Sequence, residues 1–145
     1  MKTALSLLPL LAFPFGLVGF VALWCLVLFL IALVGGWRGL ATRFGVPTLP
    51  AGTTFWMQSA RFGWLANYNN VLTVVVTPDG VGFVPFVLFR VGHEPIFVPF
   101  SALSAAESTR MFFTTAAVLR IGPQRIVVYG QAGRAIVAAY QAARG

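Results

Sequence analysis

Between Lys2 and Arg38 the chain holds thirty-five consecutive positions without a charge, residues 3–37. A helix needs about 20 apolar residues to cross the ~30 Å hydrocarbon core of a bilayer. Residues 17–34, Leu-Val-Gly-Phe-Val-Ala-Leu-Trp-Cys-Leu-Val-Leu-Phe-Leu-Ile-Ala-Leu-Val, nearly meet that need alone. Pro9, Pro14 and Gly16 interrupt the first third. Residues 4–15 therefore read as a kinked or interfacial lead-in and about 15–35 as the spanning helix, within an anchor over 1–37. The run is too long for a secretory signal, whose apolar core covers about 7–15 residues ahead of a small-residue cleavage site. Trp37 fits an interfacial residue, and Gly35 to Gly39 spells a GxxxG at the membrane edge.

Residues 38–52 read as a linker, with Gly45-Val-Pro-Thr-Leu-Pro-Ala-Gly52 its most structure-breaking part. Beyond it the period changes from helical to two, opening a domain over 53–145. Alternation is rough over residues 55–64, but Asn70-Val-Leu-Thr-Val-Val-Val-Thr77 is a β-branched strand. Thr77-Pro-Asp-Gly80 then predicts a type I turn and a hairpin. Residues 81–89 form the return strand, with Pro85 favouring an edge or a strand end. Residues 90–95 are a loop and 96–101 another short strand. Further strands are expected near 110–115, 117–121 and 125–129, the last two joined by Gly122-Pro-Gln124. From about 131 to 144 the period is helical again, with Ala132, Ile136, Ala139, Tyr140 and Ala143 on one face. The fold class is α+β: a transmembrane helix, then a small β-sandwich or partly open barrel capped by a C-terminal amphipathic helix.

Composition adds a sign of charge. Lys and Arg number 10 against 3 Asp and Glu, and all nine Arg lie after the anchor, leaving +6 on residues 38–145. A basic domain tethered beside anionic lipid is drawn to it by about 1 kcal/mol per nearby cation; an Arg-rich proteome would give the same bias without a partner. Arg38, Arg43 and more distantly Arg61 outweigh Lys2, which places the domain on the cytoplasmic side of a cell (inner) membrane with a single pass. The single cysteine, Cys25, lies within the anchor, so no intrachain disulfide forms.

The order of short strands and a terminal helix behind an anchor resembles bacterial pleckstrin-homology-like domains. Ile96-Phe-Val-Pro-Phe-Ser-Ala-Leu103, preceded by Leu88-Phe-Arg-Val-Gly-His-Glu-Pro95, carries the local likeness and is similar to a group of small bacterial membrane proteins. The resemblance spans about residues 38–144. It implies a bent sheet capped by a helix that binds lipid headgroups, peptides or partner subunits. Relatives that bind phosphoinositides use several cations around the first hairpin loop. Here that loop, read as about 61–70, has one cation, Arg61, among Trp64, Tyr68, Asn67, Asn69 and Asn70.

Chemistry is sparse. Acid–base or nucleophilic catalysis needs a base beside a nucleophile, or a carboxylate pair. Only His93 and Glu94 adjoin, and a polar loop satisfied by backbone accounts for them as well. No cofactor is expected: the ligands of a zinc site are lacking, and neither GxGxxG nor a Walker sequence occurs. Scattered single cations without a recognition motif do not point to nucleic acid. Candidate ligand or surface contacts are Arg61, Trp64, Tyr68, Arg90, His93 and Glu94. Residues 81–89 are either a core strand or a segment lying on the bilayer or a partner helix. Arg61, Arg90, Arg110, Arg120 and Arg125 either converge on one face or are dispersed. The expected function is a non-catalytic, membrane-anchored binding or scaffolding module whose partners are the bilayer, anionic headgroups or membrane protein subunits. The alternative is a structural accessory subunit of a larger membrane complex.

Overall fold

The uncharged N-terminal run folds as one helix, α1 (Lys2–Val34), with Pro9 and Pro14 inside it. In the computed structural model, which describes residues 2–63, 66–111 and 113–144, its 33 residues extend about 50 Å. The stretch Ala12–Val34 is long and apolar enough to cross a membrane. Residues 4–15 thus continue the same helix, because each proline removes one rung of the helical ladder without ending it.

Gly35 and Gly36 turn the chain, Gly36 at φ +85, where a Cβ would be strained. The linker expected over 38–52 is corrected at its first half. Trp37–Phe44 forms a short amphipathic helix, α2, with Trp37, Leu40 and Ala41 buried. Trp37 is therefore a core residue of the β domain and not an interfacial one; it is fully buried. Only residues 45–52 connect without helix or strand, and Gly45 is already bridged to Ile96.

Seven strands make up the rest of the domain with one helix: β1 (Thr53–Phe62), β2 (Ala66–Val76), β3 (Gly80–Pro85), β4 (Ile96–Pro99), β5 (Ala105–Met111), β6 (Thr114–Ile121) and β7 (Gln124–Tyr129). They form one sheet in the order β4-β3-β2-β1-β7-β6-β5, antiparallel at every pairing. The sheet curls into a half-barrel, and α3 (Gly130–Arg144) packs on strands from both halves, closing its hollow side. Ala132, Ile136 and Tyr140 of α3 meet Leu72, Phe83, Leu119 and Ile126 in the core. The α+β class and the C-terminal helix are as the sequence predicts.

Local differences have local causes. The rough alternation near residue 57 is a bulge: Met57 sits at φ +53 and the β1–β2 register shifts on both sides of Gln58, which leaves Trp56 and Met57 both exposed. The first hairpin loop is shorter than residues 61–70. β1 runs to Phe62 and β2 begins at Ala66, so Asn67, Tyr68, Asn69 and Asn70 belong to a strand. The expected turn at 77–80 is present, held by Thr77, whose Oγ accepts from the amides of Asp79 and Gly80 at 3.1 and 3.0 Å. Pro85 ends β3, and residues 87–89 coil into a single 3-10 turn. The strand expected over 110–115 is instead the end of β5 and the start of β6, since β5 begins at Ala105.

Candidate functional site

The last three turns of α1 are docked on the β domain. Leu28 and Ala32 are buried, and residues 88–94 run beside the helix. Trp24 donates its indole N–H to the Leu88 carbonyl at 2.9 Å and packs its ring on Phe89, centroids 5.4 Å apart. Gly92, at φ +73, sits so close that a Cβ would lie 3.0 Å from the Phe29 ring and 3.5 Å from Ala32. Beyond the helix end Trp37 donates to the Glu94 carbonyl at 2.9 Å, and Arg38 pairs with the Glu94 carboxylate at 3.2 Å. On the other side Gly35 meets Ala66 edge on, and the Gln124 side-chain amide donates to the Gly35 carbonyl at 3.0 Å. These contacts join the helix end to the domain on both sides.

Inside the joint lies an aromatic cluster. Trp37 packs on Phe62, Tyr68 and His93 at centroid distances of 4.8, 5.6 and 5.1 Å. His93 is fully buried. Its Nδ1 lies 2.8 Å from the Val91 carbonyl, which only accepts, so Nδ1 carries the proton. Nε2 then accepts from the Tyr68 hydroxyl at 2.7 Å. Burial first, and the nearby Arg38 charge to a lesser degree, push the His93 pKa down; the Val91 bond opposes them. Burial raises the Tyr68 pKa. Both groups are neutral, with both imidazole nitrogens engaged.

A second feature lies outside the sheet. Arg61 on β1, Arg120 on β6 and Arg125 on β7 line a cleft of about 620 Å³ that is also lined by Val34, the last residue of α1, and Gly35 just beyond it. Arg120 and Arg125 are direct cross-strand partners. Like charges placed opposite each other in a sheet repel, and no acidic side chain lines the cleft among the described residues. The arrangement suits an anion.

Of the sequence-predicted residues, Arg61 belongs to this cleft, while Tyr68 and His93 are brought together in the core as a structural pair. Glu94 turns away from His93 toward Arg38. Arg90 is elsewhere, its Nε donating to the Pro85 carbonyl at 3.0 Å. Trp64 lies outside the described residues. Arg120 and Arg125 do converge with Arg61, whereas Arg90 and Arg110 are not in that cleft. Sequence reasoning misses Gln124, Tyr129 and the helix end as lining; the β6–β7 turn gives the only local signal. Among the described residues no three His, Cys, Asp or Glu side chains gather as metal ligands would. Searches against protein-family models and curated proteins return no match to this chain.

Proposed function

We propose that the chain is a single-pass, membrane-anchored, non-catalytic binding module on the cytoplasmic face of the cell membrane, and that the cleft of Arg61, Arg120 and Arg125 takes the phosphate of anionic lipid headgroups. One observation carries the reading: three cations surround a concavity walled by the end of the apolar helix, where a bilayer that holds the helix would present its headgroups. Charge-assisted Arg–phosphate bonds are the strong kind. The strand order, with β1 joining both halves of a bent sheet and a terminal helix closing it, supports a pleckstrin-homology-like domain. The ligand-binding surface then differs from the first hairpin loop.

The test uses the full chain in mild detergent. Added phosphatidylglycerol is expected to raise its melting temperature while phosphatidylcholine does not, and the double variant Arg120→Gln, Arg125→Gln is expected to lose that rise. Equal responses to both lipids, or an undiminished rise in the variant, would remove the headgroup site. A second reading, an accessory subunit of a membrane complex, draws on the apolar groove of about 230 Å³ between Val27, Leu30, Ile31 and Val34 of α1 and Ala66 of β2. It fits a neighbouring helix, and co-purification of a stoichiometric membrane protein from native membranes would favour it.

A further inference from the structure

We infer that the hydrocarbon boundary crosses α1 near Phe29, not at the helix end, and that the domain tip, residues 86–88, is sunk in the acyl layer beside Trp24. The inference rests on the proposed anchoring of α1 in a bilayer and fixes how deep the domain sits.

Phe86, Val87 and Leu88 are more than half exposed, and Leu88 is tied to Trp24, five residues before Phe29. The tip thus continues the apolar surface of the helix itself. Its carbonyls are prepared for a medium without water. The carbonyls of residues 85–88 are all taken, in turn by the Arg90 side chain, the Phe89 amide, the Arg90 amide and the Trp24 indole. The Phe86 amide donates to Val71. Satisfied carbonyls lower the cost of entering hydrocarbon, while the Val87 and Leu88 amides, which open the 3-10 turn, keep the insertion shallow.

Two costs bracket the depth. A boundary at Val34 would carry the exposed Arg90, with Asn70 beside it, into hydrocarbon, where a charge costs more the deeper it lies, reaching about 2.5–3.5 kcal/mol or more at the bilayer centre. A boundary below Trp24 would leave the tip and the outer face of Leu26, Val27 and Leu30 in water, at about 25 cal/mol per Å² of apolar surface. At Phe29 the tip reaches about 7 Å into the acyl layer, within the ~5–10 Å usual for interfacial insertion. Arg90 then lies at the headgroups, and Gly35 with the arginine cleft stands about 9 Å above the boundary. Counting back, about 20 residues to Pro9 span the core.

The full chain, with Cys25→Ala, is reconstituted in phosphatidylglycerol vesicles and labelled with an environment-sensitive fluorophore at Leu88→Cys, Val87→Cys, Val34→Cys or Ser101→Cys. Residues 87, 88 and 34 are exposed, so labelling them removes no core contact. Lipid bearing a nitroxide quencher high on its acyl chain is expected to extinguish emission at 87 and 88 and to spare 34 and 101. Loss at 34 with the tip quenched only by deeper nitroxides would overturn the placement in favour of a submerged domain. Unquenched emission at both 87 and 88 would overturn it in favour of a domain clear of the bilayer. Release of the chain from vesicles would instead overturn the anchoring on which it rests.

Discussion

Among single residues, the Tyr68–His93 pair sets the joint. Removing the hydroxyl with Tyr68→Phe leaves the His93 Nε2 buried without its donor, and an unsatisfied buried acceptor costs about 1–3 kcal/mol. Chemical denaturation of the detergent-solubilised chain is expected to show a loss of that size; an unchanged midpoint would mean that the bond contributes nothing. The pair also gives stability a pH dependence. Because the folded state holds His93 below its ordinary pKa of 6.5, the unfolded chain binds the extra proton first. Stability is therefore full above about pH 6.5 and falls as the pH drops toward the folded-state pKa. Melting temperatures are expected to decline for the native chain as the pH is lowered from neutral through that range, and to decline less for His93→Gln. Neither the pair nor its tautomer is legible in the sequence, since its members stand 25 positions apart and meet only when β2 and the loop before β4 are both in place. The adjacency of His93 and Glu94 is the louder signal, yet one faces the core and the other Arg38.

Among elements, α2 occupies a segment whose sequence reads as a linker. Its eight residues are too few for helical periodicity to stand out between two breaker-rich stretches, and its apolar Trp37 reads as a membrane residue because it ends an apolar run. Trp37→Ala would empty the centre of the aromatic cluster, and truncating a buried aromatic costs about 3–5 kcal/mol. The expected result is a chain that still enters membranes but whose domain is cleaved by low protease concentrations at which the native chain survives. Equal resistance would show that α2 is dispensable to the domain. Elsewhere strong local signals match the fold: the Thr77–Gly80 turn, the β6–β7 turn at Gly122 and Pro123, and α3. β5 escapes a sequence reading because Ala105-Ala-Glu-Ser-Thr-Arg-Met111 lacks β-branched apolar residues and lies at the sheet edge, where little burial writes a pattern. In residues 81–89 the two readings divide at Pro85: β3 is buried throughout, and the turn after it is exposed beside α1.

Across the protein as a unit, apolar surface and positive charge are sorted along the helix axis. The apolar tip meets α1 at Trp24, while three arginines converge near Gly35. The run of uncharged residues and the excess of arginine are plain in the sequence. Their vertical order is not, because Arg61, Arg120 and Arg125 come from three strands joined only by the sheet. Headgroup binding at the cleft and burial of the tip both require that α1 stay in the bilayer as part of the mature chain and hold the domain there. Alkaline carbonate washing of membranes from expressing cells, with intact-mass measurement of the retained protein, tests this most directly. The chain is expected to remain in the membrane pellet at its full 15.6 kDa; a shorter, water-soluble product lacking the N-terminal apolar run would contradict the proposal.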